Sequence, residues 1–401
     1  MINRPFALQK LTRFKDKQLI KVVTGIRRSG KSTLLELFRQ QLLAQGVNPA
    51  AIQSYNFEDL SLEPLTDYHR LYDTIVSRLQ NDWMNYVFID EIQNVPNFEK
   101  AINSLLIKGN VDIYITGSNA FLLSGELATL LSGRTVEIHV TPLSFSELFG
   151  GSADTRDFQS YMGGSSFPYA SQLNSPSDVH TYLEGVYNTV ILKDIAARRG
   201  ILDINQLQRV ARFLMGNIGN LTSIKKISDT MASDGQRIST HAVDSYIASL
   251  SEAYLFYPIR RFDVKGKQLL KTGEKYYVAD LGLRSFVLGE RNSDYGHALE
   301  NIVCLELIRR GWSVFVGKVG TAEIDFIAQK DMKTVYYQVA LTILDESTKR
   351  RELDALEKIG DSFPKCLLTL DPLPESNYNG IVIKNVVDWL VEPERREDFA
   401  S

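Results

Sequence analysis

The chain has few cysteines, only Cys304 and Cys366 among its 401 residues. Two cysteines are too few for a disulfide or metal framework, and they predict core thiols in a reducing compartment. The sequence also lacks an apolar run as long as a membrane span, and its N-terminus lacks the pattern of a signal peptide. We therefore expect a cytoplasmic protein that does not have a membrane as partner.

A strong charge of either sign is absent as well. The 45 lysines and arginines nearly balance the 48 aspartates and glutamates, so the net charge at pH 7 is −3. Such a balance gives no overall attraction to nucleic acid, and any binding of that kind must come from a local patch. The sequence shows no internal repeat and no low-complexity tract, and its length predicts two or three domains.

The most informative stretch follows an apolar run at residues 19–23. Residues 25–32 read G-I-R-R-S-G-K-S, which fits G-x-x-x-x-G-K-[ST], and a helical pattern of apolar residues comes next. A strand before this pattern and a helix after it indicate a phosphate-binding loop, with an ordinary glycine-containing turn as the alternative. Backbone N–H groups and the helix N-terminus bind phosphate oxygens in such a loop. The residues expected to bind the nucleotide are Gly25, Ile26, Arg27, Arg28, Ser29, Gly30, Lys31, Ser32 and Thr33.

Two side chains of this loop have expected roles in ATP hydrolysis. Lys31 is expected to reach the β- and γ-phosphates, and Ser32 is expected to bind Mg²⁺. The tandem arginines Arg27 and Arg28 are unusual at positions that accept most residue types. They face either solvent, a neighbouring subunit or the C-terminal part of the chain.

A second motif lies at residues 86–91, which read Y-V-F-I-D-E. It is the pattern of a buried apolar strand that ends in two acids. Asp90 is expected to bind Mg²⁺, and Glu91 is expected to polarise the water that attacks the γ-phosphate. A strand that ends in two surface acids is the alternative interpretation.

A third apolar strand pattern, at residues 112–115, ends in Thr-Gly-Ser-Asn. Asn119 or Ser118 is a candidate sensor of the γ-phosphate there, and a simple turn is the alternative. Arg134 lies where a ring-forming ATPase supplies an arginine finger to a neighbouring subunit, although a solvated surface arginine fits equally well. Strand and helix patterns alternate with short connections, which predicts a three-layer α/β domain with a parallel sheet. Its site should lie at the carboxyl ends of the strands.

Residues 25–33, 89–93 and 116–119 resemble the motifs of a prokaryotic family of AAA-type P-loop ATPases, and residues 132–134 and 142–148 add to the match. In that family the ATPase is fused to a C-terminal region of uncharacterised function with a restriction-endonuclease-like fold. The resemblance covers nearly the whole chain and implies ATP and Mg²⁺ as ligands.

The middle of the chain has the element order of a winged helix. Helical patterns at residues 207–215, 222–231 and 240–253 precede two strand patterns that are joined by a charged turn. The predicted hairpin is rich in cations and is a candidate contact for DNA phosphates. An oligomer contact or an edge ribbon that lysines protect from aggregation is the alternative. The cations are Arg260, Arg261, Lys265, Lys267, Lys271 and Lys275.

The C-terminal pattern of a helix, three strands, a helix and a strand resembles a restriction-endonuclease-like core. Active members hold a divalent metal with an Asp and an [Asp/Glu]-x-Lys motif, and an acid on the first helix assists. Asp325 and Glu300 match the Asp and the helix acid. Gln338 and Ala340 stand where an acid and a lysine are needed. The resemblance therefore implies a degenerate nuclease site at Glu300, Asp325 and Gln338.

Two other interpretations of this C-terminal site stay open. A working nuclease would need a migrated cation, for which Lys349, Arg350 and Arg351 on the following helix are candidates. Alternatively, Glu300 and Asp325 are structural acids.

The sequence thus predicts an α/β protein with three domains. These are a three-layer P-loop ATPase domain at 1–160, a helical connector and winged-helix domain at 161–290, and an α/β restriction-endonuclease-like domain at 291–401. The expected activity is Mg²⁺-dependent hydrolysis of ATP by a protein that acts on DNA, with a homo-oligomer as a candidate assembly. The alternatives are a nucleotide-switched module that binds another protein, and an ATP-gated, metal-dependent DNA nuclease.

Overall fold

The computed structural model describes residues 2–117, 133–152, 154–233, 235, 237–289 and 294–392. Its contacts divide the chain into two compact units, of which the first comprises Met1–Pro142 and Glu252–Tyr254. The sequence placed the first domain boundary at residue 160, whereas the residues that follow Pro142, apart from Glu252–Tyr254, group with the second unit by their contacts. Within the described ranges, every helix is too short or too polar to cross a membrane.

The first unit contains a five-stranded sheet in the order β2-β3-β4-β1-β5. All neighbouring strands are parallel, as the sequence predicted, and β4 lies between β1 and β3. The strands are β1 (Ile20–Thr24), β2 (Ile52–Asn56), β3 (Asn85–Asp90), β4 (Val111–Thr116) and β5 (Thr135–His139). The described helices of this unit are α1 (Pro5–Arg13), α2 (Lys31–Ala44), α3 (Tyr68–Ser77) and α4 (Phe98–Ile107).

Helices cover both faces of this sheet and make three layers. Val22 packs in one core with Leu71 of α3 and Ile102 of α4. Val23, the next residue of β1, packs in a second core with Leu11 of α1 and other apolar residues of α1 and α2. Successive side chains of a strand point to opposite faces, and burial of both faces explains why the central strands β1, β3 and β4 are mostly apolar. The predicted three-layer α/β fold with a parallel sheet is confirmed for this unit.

The second unit contains an eight-stranded mixed sheet in the order β12-β13-β11-β10-β9-β8-β6-β7. Its strands are β6 (Phe256–Asp263), β7 (Gln268–Val278), β8 (Ser313–Val319), β9 (Ala322–Lys330), β10 (Lys333–Ala340), β11 (Lys365–Thr369), β12 (Ser376–Tyr378) and β13 (Ile381–Asn385). The helices before the sheet are α5 (Phe145–Phe149), α6 (Thr155–Gly163), α7 (Pro176–Thr189, continued by the π-helix Val190–Ala197), α8 (Ile204–Gly216), α9 (Ile224–Ser233) and α10 (Thr240–Glu252). The others are α11 (Leu281–Leu288), α12 (Tyr295–Arg309), α13 (Glu346–Glu357) and α14 (Val386–Val391).

The β6–β7 hairpin differs from the free ribbon that a winged helix would present. Strand β6 pairs in parallel with β8, with Arg261 opposite Val316, so the hairpin forms one end of the eight-stranded sheet. The sequence patterns identified both strands and their turn. The patterns did not indicate that β6 also pairs with β8, because β8 lies about fifty residues further along the chain. The winged helix stays a prediction.

Candidate functional site

The loop between β1 and α2 requires glycine at two positions. Gly25 has a φ of 138°, and a Cβ atom placed there would lie 2.0 Å from the carbonyl oxygen of Val140. Gly30 has a φ of 97°, in the left-handed region, and directly precedes Lys31, the first residue of α2. Glycine adopts such conformations without a steric cost. The sequence therefore folds residues 25–30 tightly over the N-terminus of α2.

The interior of this loop contains polar groups that suit an anion. The hydroxyl of Ser29 is buried and has no hydrogen-bond partner among the described residues. The buried Lys31 Nζ donates to the carbonyl oxygens of Gly25, at 2.9 Å, and Ile26, at 3.2 Å. A buried hydroxyl without a partner is costly, and a phosphate oxygen would satisfy it. The N-terminus of the 14-residue helix α2 adds backbone N–H groups and a positive partial charge.

An arginine outside the predicted motifs is hydrogen-bonded to the backbone of the phosphate loop. Arg4 is buried, and its Nη1 donates to the carbonyl oxygen of Ser29 at 2.9 Å. Its Nη2 donates to the carbonyl oxygen of Thr141, just beyond β5, at 2.7 Å. The sequence does not indicate this residue, because a contact between residues 137 positions apart leaves no local pattern.

The two acids predicted at the end of β3 lie at the same edge of the sheet as the loop. Asp90 and Glu91 are both buried, and β4 brings Thr116 beside them. The Thr116 hydroxyl donates to the Asp90 carboxylate and accepts a 2.9 Å hydrogen bond from the Glu91 N–H. Thr116 is thus a member of the site that the sequence noted only as the start of the Thr-Gly-Ser-Asn segment.

The backbone and side chain of Glu91 are both constrained. Its φ is 53°, in the left-handed region, and its carboxylate accepts a hydrogen bond from Gln93 Nε2. Burial raises the pKa of the Glu91 carboxyl, while the nearby charges of Lys31 and Arg27 partly oppose this rise. A carboxyl with a raised pKa is a better proton acceptor than an ordinary surface glutamate.

The other residues expected to bind nucleotide have contrasting surroundings. Ile26 is fully buried, and Arg27 is buried beside Glu58. The exposed residues are Arg28, Ser32 and Thr33. An exposed hydroxyl at Ser32, in the first turn of α2, is available to a ligand that enters from solvent.

The predicted sensor and finger residues remain untested by this geometry. Asn119 and Ser118 lie outside the described residues. Arg134 is exposed, its carbonyl oxygen accepts from the N–H of Ile20, and its Nη1 donates to Asn103 at 3.3 Å. Arg134 is thus hydrogen-bonded to the first residue of β1, whereas the phosphate loop follows the last residue of β1. Arg134 therefore lies at the opposite edge of the sheet from the phosphate loop of its own chain.

The acids predicted in the second unit surround a lysine. Lys275 of β7 is 3% exposed, and its Nζ lies 3.2 Å from Glu300, 2.9 Å from Glu323 and 3.8 Å from Asp325. Tyr277 also donates to Glu300, at 3.1 Å. The interpretation of Lys275 as a cation on an exposed wing is wrong, because its ammonium is enclosed by carboxylates. The sequence grouped it with its neighbours on the hairpin and not with acids distant in the chain.

The structure joins Gln338 to the same cluster. Its Oε1 accepts from the N–H of Asp325 at 3.3 Å, and its Nε2 donates to Glu352 at 2.7 Å. The candidate cations on helix α13 form no described ion pair with Asp325. Arg351 pairs with Glu352, and the Lys349 ammonium lies 3.6 Å from the Glu346 carboxylate. Lys275 supplies the cation instead.

A divalent metal does not fit this acid–lysine cluster as it stands. Among the described residues, no group of three or more His, Cys, Asp or Glu side chains is arranged to hold a metal ion. The Lys275 ammonium already neutralises part of the carboxylate charge. Burial raises the pKa of the Asp325 carboxyl well above its ordinary range, with the charge of Glu300 adding to the rise and Lys275 opposing it.

Replacing Lys275 by methionine should destabilise the second unit by about 3 kcal/mol at pH 7. The substitution keeps the apolar volume and leaves buried carboxylates without their counter-charge. The buried Asp325 carboxyl, whose pKa burial raises, takes up a proton as the pH falls, so the deficit should shrink between neutral and acidic pH. Urea unfolding of wild type and Lys275→Met at several pH values measures this change. The control is Lys265→Met, at an exposed lysine of the adjacent turn. A constant or absent deficit would contradict the assigned role.

Two family models match the chain. Residues 17–149 match an AAA domain, and residues 155–294 match a domain of unknown function (DUF8612). The second match includes the helices α6–α11 and the β6–β7 hairpin, and it assigns no activity to them.

A further relative and a solved structure are also similar to this chain. An uncharacterized protein of Methanocaldococcus jannaschii, MJ1544, is 29% identical over 367 residues, which are 84% of this chain and 78% of that protein. The solved Walker-type ATPase PABY2304 of Pyrococcus abyssi is 15% identical, with a TM-score of 0.47, and the match covers 72% of this chain and 96% of that chain.

The similarity to a protein of Haemophilus influenzae spans nearly the full length of both chains. That uncharacterized protein is 41% identical over 400 residues, which are 98% of this chain and 99% of the relative. The AAA match contains the whole parallel sheet, the phosphate loop and both acids of the site. The chain therefore belongs to the family of this Haemophilus influenzae protein, and its residues 17–149 form an AAA-type P-loop ATPase domain.

Proposed function

We propose that the site of the first unit binds ATP and hydrolyses it with Mg²⁺. The observation that carries this proposal is the structure of the phosphate loop. The buried Ser29 hydroxyl has no hydrogen-bond partner among the described residues, and the Lys31 ammonium donates to a carbonyl oxygen of the loop. The buried acids Asp90 and Glu91 lie at the same edge of the sheet. Together these groups can bind the anionic phosphates, bind a metal cation and accept a proton from water. ATP hydrolysis requires all three.

Residues 25–33 hold the triphosphate in this proposal. Lys31 leaves the loop carbonyls and binds the β- and γ-phosphate oxygens, which offer it stronger, charge-assisted hydrogen bonds. Glu91 accepts the proton of the attacking water, as its raised pKa favours. Asn119 senses the γ-phosphate, and Arg134 serves another copy's site in a homo-oligomer, since it lies far from its own loop.

Ser32 and Asp90 would hold Mg²⁺. Their hydroxyl and carboxylate oxygens are hard donors, which this ion prefers, and the ion neutralises charge on the phosphates when it is bound. Mg²⁺ needs only one or two protein carboxylates where phosphates complete its shell, so the absence of a three-acid cluster among the described residues fits this role.

We further propose that DNA is the partner of the second unit. The β6–β7 hairpin exposes Arg260, Lys265 and Lys267. The near-neutral net charge of the chain makes such a local patch necessary for phosphate contact. The acid–lysine cluster argues against a working metal-dependent nuclease, so the proposed action on DNA is binding that the nucleotide state controls.

Phosphate release with ATP tests both proposals. We expect turnover with Mg²⁺, none with a chelator, and stimulation by duplex DNA that falls as salt rises. Reversing the charge of Lys265 and Lys267 should reduce the stimulation and leave basal turnover unchanged. The matched control reverses two exposed lysines elsewhere in the second unit, Lys333 and Lys358. Equal stimulation in both pairs, or no stimulation and no salt-dependent DNA retention, would contradict the DNA proposal and leave the ATPase proposal standing.

A further inference from the structure

The two adjacent arginines of the phosphate loop have opposite surroundings. Arg28 is exposed and has a left-handed φ of 69°, whereas Arg27 is only 8% exposed. The sequence alone leaves the same alternatives open for both residues. The structure separates them, because only Arg27 turns into the protein.

Arg27 forms an ion pair at the edge of the sheet where the site lies. Its Nη1 is 3.0 Å from Glu58 Oε1, and half of the Glu58 side-chain surface is exposed. Glu58 follows Phe57, whose N–H donates to the carbonyl oxygen of Asp90 at 3.1 Å. The segment that carries Glu58 is therefore fixed beside the end of β3, next to the predicted Mg²⁺ ligand.

The same contacts place Arg27 close to the proposed base. Its partner Glu58 directly follows the residue that is hydrogen-bonded to Asp90, and Asp90 precedes Glu91 in the chain. Glu91 must lie next to the water that attacks the γ-phosphate in the proposed reaction. A guanidinium of the same chain at this position is therefore close to the place where charge develops during hydrolysis.

A half-exposed carboxylate is a weak partner for a guanidinium. Exposed ion pairs contribute little free energy, whereas a γ-phosphate offers more charge and several oxygens in the geometry that a guanidinium binds best. We propose that Arg27 is a catalytic residue that acts within its own chain, leaving Glu58 to donate hydrogen bonds to the γ-phosphoryl oxygens. This inference rests on the proposed ATP hydrolysis.

The chemical step balances without a covalent role for Arg27. The oxygen of water forms a bond to the γ-phosphorus, and the bond from that phosphorus to the bridging oxygen breaks, with its electron pair leaving on ADP. The proton of the water passes to Glu91. Arg27 stabilises the charge on the γ-phosphoryl oxygens through hydrogen bonds that strengthen in the transition state.

Kinetics of Arg27→Lys and Arg27→Met test the assignment. We expect kcat to fall about 10- to 100-fold in both variants, since charge-assisted hydrogen bonds of the transition state are lost. The dissociation constant for ATP, measured by equilibrium binding, should change much less and shows that each variant is folded. Glu58→Gln should keep at least the wild-type kcat, because Arg27 no longer has to leave a carboxylate, and should change the dissociation constant for ATP little.

The matched controls are Arg39→Met and Glu36→Gln. These residues form a partly exposed pair on α2, with Arg39 Nη2 at 2.7 Å from Glu36 Oε1, and should leave kcat and KM unchanged. A mixture of Arg27→Met with Lys31→Ala separates action within a chain from action between chains. Recovered activity in the mixture would mean that Arg27 serves a neighbour's site and would overturn the proposal.

The outcomes for Arg27 and for ATP hydrolysis are distinguishable. An inactive wild type would overturn the proposed hydrolysis and the role of Arg27 with it. An active wild type together with Arg27 variants of unchanged kcat would overturn the role of Arg27 alone.

Discussion

A Glu91→Gln variant is expected to bind ATP as tightly as the wild type and to hydrolyse it about 10²- to 10⁴-fold more slowly, the usual contribution of a general base. Glutamine has almost the same shape as glutamate, so the hydrogen bond with Gln93 and the burial of the side chain should be kept. An amide cannot take the proton of the attacking water. Filter binding of labelled ATP and single-turnover phosphate release measure the two quantities separately.

The pH dependence gives a second readout of the same residue. Burial raises the pKa of Glu91, and only the carboxylate accepts a proton. The kcat of the wild type should therefore rise with pH through that raised pKa and fall as the carboxyl becomes protonated. Glu91→Gln should lose this acidic limb, and Glu63→Gln, at an exposed glutamate of the same unit, should keep it. Unchanged turnover in Glu91→Gln would rule out the assigned base.

The first unit could be predicted from the sequence because its signals are local. A strand, the pattern from Gly25 to Ser32 and a helix follow one another directly, and each acid of the site stands at the end of an apolar run. Because carboxyl ends of parallel strands meet at one edge, the topology alone brings Asp90 and Thr116 to the loop. The two φ values that require glycine explain why the motif has glycine at those two positions.

The parts that could not be predicted depend on residues far apart in the chain. Arg4 binds the carbonyl oxygens of Ser29 and Thr141, and nothing in the residues near Arg4 indicates this. Lys275 illustrates the same limit in the second unit. Its neighbours in sequence suggested a basic wing, whereas the pairing of β6 with β8 places it among acids of α12 and β9.

The tandem arginines show that residue type alone does not determine the burial and partners of a side chain. Arg27 and Arg28 carry the same charge one position apart, yet only Arg27 is buried with a partner at the edge of the sheet where the site lies. The left-handed conformation at Arg28 turns the chain so that the two side chains leave the loop in different directions. A sequence pattern assigns no such conformation to arginine, because residues other than glycine and asparagine rarely adopt it.

Lys31→Ala is expected to abolish measurable nucleotide binding and to reduce kcat/KM by about 10²- to 10³-fold, the loss typical of a removed charge clamp on a transferred phosphoryl group. The lysine is buried, and its ammonium donates hydrogen bonds to the carbonyl oxygens of Gly25 and Ile26. In the proposed complex the same ammonium moves to phosphate oxygens, which bind it more strongly than neutral carbonyls. Loss of the ammonium therefore destabilises the ATP complex more than it destabilises the loop without ATP.

Thermal unfolding separates this effect from simple damage to the fold. A ligand at 100 times its dissociation constant stabilises the folded state by about 2.7 kcal/mol, so ATP should raise the melting temperature of the wild type. Lys31→Ala should melt close to the wild type without ATP and gain nothing when ATP is added. Lys17→Ala, at an exposed lysine of the same unit, should gain as much as the wild type. A full gain in Lys31→Ala would show that the nucleotide binds without the phosphate loop and would overturn the site.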